Sequence, residues 1–318
     1  MTDPRITVAM SIYNNAPYLA AAIDSICAQS HADFEFVIVN DGSSDESGAI
    51  IDRFAACDSR IRAIHSPNAG LVPSLNHILD EARGTLIARM DGDDIALPER
   101  FARQVAFLDA HPDIGVLGTG CTVIGEDSKP GPHRFDNVVS PEDIVEDLKN
   151  GPPLAHPTVL MRRDAVRAVG GYRAAYRHCE DYDLWLRLSE HVRMANLPDR
   201  LLLYRQSASQ VSSRHRLTQA TGAAIAWEAH LERSAGRADP TERLDVLPPI
   251  EALDALFGRA GVTTAVRARR SQHRLFTSSA ARTRLCAAAR RRARRRPQDC
   301  GPPLLDLLCT ATRLVPHV

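Results

Sequence analysis

The chain has 318 residues, 39 basic and 39 acidic side chains, a formal net charge of zero and 44% hydrophobic residues. This rules out a chain too polar to bury a core and leaves room for one large α/β domain with an extension, or for two domains. The seven cysteines are scattered without a Cys-x-x-Cys pair, which fits a reducing compartment better than a disulfide framework. No basic run leading into an apolar core opens the chain and no stretch approaches 18 apolar residues. Neither a signal peptide nor a transmembrane helix is therefore expected.

The chain opens with an apolar run at 6–12 that predicts a strand, and Pro17 is placed for the first turn of a helix reaching about residue 29. A second strand is expected at 34–40. Ser43-Ser44-Asp45-Glu46 has capping-box spacing for a helix to about residue 56. A short third strand at 61–65 leads into the loop Pro67-Asn68-Ala69-Gly70. Leu71, Leu75, Ile78, Leu79 and Ala82 then follow helical spacing, and a fourth strand follows at 85–90. Strands alternating with helices of this length predict a mostly parallel, doubly wound sheet.

Pro98 starts a helix to about residue 110, and 114–124 reads as a further strand. Residues 125–153 are rich in Pro, Gly and Asp and read as a long loop with a short helix near 141–148. Loops of that length inside a compact domain are usually functional. A strand at 158–161, a short helix at 164–169, an amphipathic helix at 181–191 and a last strand at 201–204 complete the pattern. Beyond about residue 215 strand signals end. Residues 259–296 hold 13 arginines and no Asp or Glu, and Leu304, Leu307, Leu308, Ala311 and Val315 make one short apolar stripe. The domain expectation is a catalytic unit over 1–230 and a mainly helical, Arg-rich extension over 231–318. The arginine segment is read first as a solvated face, then as a contact for anionic lipid, then as a nucleic-acid contact.

Two strands stop abruptly at carboxylates: the second at Asp41 and the fourth at Asp91-Gly92-Asp93-Asp94. In open α/β sheets, ligands bind beyond the carboxyl ends of the strands. Three carboxylates within four residues repel one another unless a cation or ligand donors sit among them. Oxygen ligands suit Mg²⁺ or Mn²⁺, which commonly bind to one or two carboxylates plus substrate phosphates. The alternative is an acidic turn, since Asp-Gly is common in turns. EF-hand, P-loop and dinucleotide-fingerprint spacings are all absent.

Tyr13, just past the first strand, can stack on a nucleobase or simply pack under a loop. Asp41 can accept from a base N–H or serve as an Asx-type turn residue. Glu180 and Asp181 open the amphipathic helix. They either complement its dipole or place a general base at the rim of a pocket, where a sugar hydroxyl needs its proton removed. His156 precedes a strand after the long loop, as a structural His before a turn or as an acceptor-pocket residue.

The series Ser11-Ile12-Tyr13-Asn14-Asn15, Asn40-Asp41-Gly42-Ser43-Ser44-Asp45, Asn68-Ala69-Gly70-Leu71, Asp91-Gly92-Asp93-Asp94, Gly170-Gly171-Tyr172 and Glu180-Asp181-Tyr182-Asp183-Leu184-Trp185 resembles the inverting family-2 glycosyltransferases of the GT-A fold, bacterial type, over about residues 5–212. The resemblance implies a GT-A-like α/β domain that moves a sugar from a nucleotide-diphosphate donor, expected to be a UDP-sugar, to an acceptor hydroxyl in surface polysaccharide or glycolipid synthesis. It implies nucleotide-sugar contacts at Ser11, Tyr13, Asp41, Asn68, Gly70 and Asp91, with Mg²⁺ or Mn²⁺ on Asp93. It also implies Asp181 as catalytic base with Glu180 beside it, and His156 and Trp185 on the acceptor side. The implied partners are the donor and a glycan or lipid-linked acceptor, in the cytoplasm or peripherally at the inner face of an anionic membrane, with no nucleic acid.

Two departures matter. Where relatives carry Tyr-Arg-x-His, this chain has Tyr204-Arg205-Gln206-Ser207, and His215 lies eight residues on. The Gln-x-x-Arg-Trp signature of processive synthases is absent. The alternatives are a sugar-1-phosphate nucleotidyltransferase, which would need a Gly-rich basic loop that residues 11–17 do not supply, and a nucleotide-sugar-binding protein without turnover.

Overall fold

The computed structural model describes residues 3–135, 137–206 and 215–276. β1 (Ile6–Ile12), β2 (Phe34–Asp41), β3 (Ile61–Ser66) and β4 (Leu86–Arg89) pair in parallel in the order β3-β2-β1-β4. The helices between them are α1 (Ala16–Cys27), α2 (Ser47–Cys57) and α3 (Leu71–Glu81). Alternate residues of each strand feed opposite faces, as a period of two dictates. Ile6, Val8, Met10 and Ile12 pack with α1, whereas Ala9, Val37 and Val39 pack with α3. This is the half of the sheet that the alternating pattern predicts.

Beyond β4 the sheet becomes mixed. The next elements are β5 (Ile95–Ala96), α4 (Arg100–Ala110), β6 (Ile114–Ile124), β7 (Pro130–Phe135), α5 (Pro141–Asp147), β8 (Leu160–Arg162), α6 (Arg163–Ala168), α7 (Glu180–Leu188) and β9 (Arg193–Arg205). The order continues β4-β8-β6-β9-β5. β8 is antiparallel to both β4 and β6, β9 is parallel to β6, and β5 is antiparallel to β9. β7 lies within the segment expected to be a loop and pairs only with β6. Its Pro and Gly content hides it, because proline is tolerated at sheet edges and withdraws a strand signal. β9 begins eight residues before the expected strand. Pro198 sits where the β6 register jumps from Leu197 to Arg200, so a bulge absorbs the residue that cannot donate.

Three further helices follow: α8 (Arg216–Ser234), α9 (Leu253–Leu256) and α10 (Val262–Phe276). The expected boundary at 230 falls inside α8. Ile250, Leu253, Phe257, Val262 and Val266 belong to the same buried cluster as α3 and α7, and the compact unit runs to Leu275. The first arginines of the basic segment are engaged there. Arg259 pairs with Glu228 and Glu232 at 2.8 and 2.7 Å, Arg267 pairs with Glu251 at 2.8 Å, and the Arg269 guanidinium lies 4.5 Å from the Trp227 ring centre. Residues 277–318, with the remaining arginines and the apolar stripe, lie outside the described residues. Among the described residues no helix is long and apolar enough to cross a membrane.

Fully burying one such apolar side chain stabilises by about 1.5–3 kcal/mol. A chain cut after residue 230 strips five of them from one cluster and is expected to lose its cooperative thermal transition. A chain cut after residue 276 is expected to keep it. Calorimetry of the two truncations checks this; equal transitions would show that 231–276 packs on nothing essential.

Candidate active site

The carboxyl ends of β1, β2, β3 and β4 lie along one sheet edge, and the loops leaving them are laced together. Asn14 adopts φ 54°, and its Oδ1 accepts from the Ser44 amide at 2.8 Å while its own amide donates to Ser43 Oγ at 3.0 Å. The Asp45 carboxylate accepts from the Ser47 and Ala16 amides, both at 3.0 Å. Ser43 is thus tied to the β1 loop rather than capping a helix, which is why α2 starts only at Ser47. Tyr13 is left 54% exposed on the rim with its ring free to stack, and Ser11 is half-buried one turn of the pleat earlier.

Asp41 is buried at the end of β2. Its two carboxylate oxygens accept from the Ala69 and Gly70 amides at 2.7 and 2.9 Å, and Asn68 Nδ2 donates to its carbonyl at 3.0 Å. Asp41, Asn68 and Gly70 therefore form one unit, with a second lone pair on each carboxylate oxygen still open to a ligand donor. Gly42 makes the junction feasible. Its φ is +71°, and a Cβ there would meet the Asn68 amide at 2.6 Å.

β4 delivers the acidic cluster. One carboxylate oxygen from each of Asp91, Asp93 and Asp94 lies within 4.8 Å of the others. Gly92 keeps this turn against β1, since a Cβ there would sit 2.3 Å from Ile12 Cδ1. Asp94 is 1% exposed. Its Oδ1 accepts from the Arg205 amide at 2.8 Å, and its Oδ2 has no hydrogen-bond partner among the described residues. Burial, then the charges of Asp91 and Asp93, hold its pKa well above the ordinary range. Burial and the Asp91 charge push Asp93 from 3.8 to about 6. A buried carboxylate oxygen with no donor, beside a neighbour pushed upward, is what a hard divalent cation would relieve, so the donor set fits Mg²⁺ or Mn²⁺.

Glu180 and Asp181 open α7 close enough to this cluster to feel the Asp91 charge. Glu180 is buried and pushed up to about 7 by burial and by Asp181. Asp181 is half-buried, accepts from the Tyr182 amide at 2.7 Å, and is pushed up to about 6 mainly by burial. The charges of Arg89 and Asp91 act on both groups, so the fold brings the β4 and α7 carboxylates into one electrostatic field. Asp183, two residues on, does something else. Buried, it pairs with Arg173 and Arg187, and Arg187 also donates to Val169 O and Gly171 O at 2.6 and 2.7 Å, which pins α7 from behind.

The acceptor-side assignment of His156 and Trp185 changes. His156 is 9% exposed and Trp185 fully buried, so neither presents a surface to an acceptor. His156 Nε2 and the Tyr172 hydroxyl are 2.8 Å apart, and its ring meets Trp185 edge-on at 5.9 Å. Burial and the nearby Arg89 charge keep this imidazole neutral. Trp185 lies on the stripe of α7 that also carries Leu184 and Leu188, the inward face of an amphipathic helix. The two rings pack on each other and on Tyr172 within the core. Ser207 lies outside the described residues. His215 stacks on His178 at 4.1 Å, two residues before Glu180, and so reaches the base side of the site.

Sequence reasoning missed three arginines. Arg89, at the end of β4, pairs with Asp91. Arg100 is fully buried, and its Nη2 donates to Arg89 O at 2.8 Å. Arg205 Nε donates to Asp93 O at 2.7 Å. For Arg89 and Arg205 the signal was a guanidinium in or closing an otherwise apolar run; Arg100, beside Glu99 and Arg103, gave none.

The family model described as Glycosyl transferase family 2 matches residues 7–170. The chain belongs to this family. It is 37% identical over 233 residues to a Bacillus subtilis (strain 168) protein carrying the glycosyltransferase name EpsE, covering 72% of this chain and 82% of that one. It is 33% identical over 212 residues to the amylovoran biosynthesis glycosyltransferase AmsE of Erwinia amylovora, covering 65% and 79%. Among solved structures, Staphylococcus aureus TarS 1–349 in complex with UDP-GlcNAc matches at TM-score 0.58 and 16% identity, covering 85% of this chain and 89% of that one. A mannosyltransferase from Pyrobaculum calidifontis in complex with GDP-Man and Mn²⁺ matches at 0.53 and 18%, covering 98% and 80%. The fold is that of the GT-A enzymes, and this family-2 member is a glycosyltransferase.

The raised Asp93 sets a pH dependence. Between about pH 4 and 6 the folded chain binds a proton there that the unfolded chain has lost, so without a cation stability falls as pH rises through that window. Mn²⁺ is expected to raise the melting temperature at pH 8 and hardly at all at pH 4.5, and Asp93→Asn to abolish the rise. Differential scanning fluorimetry at the two pH values checks it; a rise surviving in Asp93→Asn would remove Asp93 from the cation site.

Proposed function

We propose that this glycosyltransferase is cation-dependent and inverting, and transfers a sugar from a nucleotide-diphosphate donor to an acceptor hydroxyl in the building of a surface polysaccharide or glycolipid. The observation that carries the reading is the convergence of two acidic groups in one electrostatic field: the Asp91-Gly92-Asp93-Asp94 turn on β4 and Glu180-Asp181 on α7. The first, with Asp41, Asn68, Gly70 and Tyr13 along the same edge, suits a nucleotide and its diphosphate. The second supplies a proton acceptor nearby.

A Mg²⁺ or Mn²⁺ held by Asp93 would neutralise charge that develops on the departing diphosphate, and so help the transition state more than the ground state. The chain's own residues do the rest. Tyr13 offers a stacking face for the base, and Asp91 accepts from donor hydroxyls. Asp181 takes the acceptor proton as the acceptor oxygen attacks the anomeric carbon. Bond formation on one side of that carbon and departure of the nucleoside diphosphate on the other inverts it. With its pKa pushed up to about 6, Asp181 is a stronger base than an ordinary aspartate and still ionised at neutral pH. Uridine diphosphate sugars are the first donors to screen, since the TarS match carries UDP-GlcNAc; GDP-mannose, from the other match, is the second.

Asp181→Asn keeps the shape and removes the base. It is expected to leave donor affinity intact and to lower kcat by about 10²–10⁴. In the parent, turnover is expected to rise with pH through about 6 as the base ionises. Calorimetry of UDP with Mn²⁺, alongside transfer assays across pH, tests both. Transfer by Asp181→Asn at the parental rate would place the base elsewhere.

A further inference from the structure

Arg89 occupies a position where β4 otherwise carries apolar residues. Ala88 and Met90 on either side are fully buried, and Arg89 itself is 4% exposed. Removing a guanidinium from water is costly unless partners compensate, and the compensation here is incomplete. Nη1 is ion-paired with Asp91, but among the described residues neither Nη1 nor Nε makes a well-formed hydrogen bond. The backbone that carries this side chain is clamped on both sides: the Arg89 amide donates to Val159 O at 3.0 Å, and its carbonyl accepts from Arg100 at 2.8 Å. A rigidly mounted cation is thus set against one particular carboxylate out of three.

The three carboxylates are not equivalent. Asp94 is buried and tied to the Arg205 amide, and Asp91 is tied to Arg89. Asp93 is half-buried and forms no ion pair among the described residues; only its backbone carbonyl is used, by Arg205. Left to themselves, three carboxylates whose oxygens lie within 4.8 Å of one another would chelate a divalent ion strongly with no donor present.

We infer that Arg89 is a positioning residue that sorts this acidic cluster. By holding Asp91 in an ion pair it withdraws that carboxylate from the cation and reserves it for the donor, leaving the cation to Asp93 and the open Oδ2 of Asp94. The inference rests on the donor-and-cation reading above and adds an order to it. The protein alone holds the ion weakly, and the ion becomes well bound only when a diphosphate supplies further oxygens, as Mg²⁺ and Mn²⁺ sites commonly do. Cation and donor binding are then mutually reinforcing, and they lose that coupling when Arg89 is removed.

The test is Mn²⁺ alone, titrated into the full chain and followed by the paramagnetic resonance signal of the free ion, then repeated with UDP. Arg89→Met is expected to bind Mn²⁺ alone about tenfold or more tightly than the parent, because a positive charge next to the ion site is gone and Asp91 is released to ligate. UDP should strengthen Mn²⁺ binding in the parent and much less in Arg89→Met. Arg89→Lys, which keeps the charge, should stay within about threefold of the parent.

Unchanged or weaker Mn²⁺ binding by folded Arg89→Met would overturn the inference and leave Arg89 as charge compensation alone. If Arg89→Met does not fold, Arg89→Met/Asp91→Asn removes both halves of the pair and leaves no buried charge unpaired. Mn²⁺ affinity within about threefold of the parent then supports the sorting role, and a loss of about tenfold or more makes Asp91 a ligand and overturns it. If the parent binds Mn²⁺ neither alone nor with UDP, the cation reading of the whole site falls, and this inference with it.

Discussion

Mutual repulsion among carboxylates at one sheet edge is the constraint on which the rest of this structure depends. β2 and β4 end in Asp41 and in Asp91, Asp93 and Asp94, and α7 adds Glu180 and Asp181. Such groups, partly or wholly removed from water, are tolerable only with countercharge nearby. The fold supplies it from beneath. Arg89 and Arg100 are buried under the cluster, and Arg205 reaches it from β9. Arg100 also donates to Val159 O at 3.3 Å, and Gln104, one turn along α4, donates to Leu117 O and Thr158 O at 3.0 and 2.8 Å. The countercharge is therefore part of the joint between β4, β6 and β8, and the mixed half of the sheet exists as much to carry it as to complete a core.

The base side is held by a second charged system. Asp183 binds Arg173 and Arg187; Arg173 goes on to Asp239 at 2.9 Å, and Arg233 links Asp239 to Glu190. This chain ties α7 to α8 and to the segment after it. Residues beyond 230 therefore matter to the site, although none of them is proposed to touch a substrate. Their apolar partners, from Leu253 to Val266, close the same core that supports Trp185 and His156.

Much of this was legible in the sequence, for identifiable reasons. A parallel strand buried on both faces is a continuous apolar run, and a run that ends in carboxylates marks both the strand and its functional end. That logic found β1, β2, β4 and the residues at their ends. It failed where two signals cancelled. β7 was hidden by its prolines, the front of β9 by Pro198, and the α10 packing by arginines that read as a tail. Spacing showed which carboxylates end a strand, but not which residues are buried behind them. Trp185 and His156 carry the chemistry of a contact and are buried in this structure. Arg89 and Arg100 looked like strand and helix filler, yet they set the charge of the site. Spacing along one element cannot show which charges lie beneath another.

The central claim is that the acidic cluster is held protonated or strained until a divalent cation relieves it. Calorimetric titration of Mn²⁺ with UDP at pH 6, repeated in buffers of different ionisation enthalpy, measures the protons released on binding. Asp93 titrates at about 6 without a cation, so binding should release on the order of half a proton or more per Mn²⁺ from this group. The part contributed by Asp93 should fall toward zero at pH 8 and be missing in Asp93→Asn. Binding with no proton release at pH 6 would mean that the carboxylates are already fully ionised, and would contradict the account.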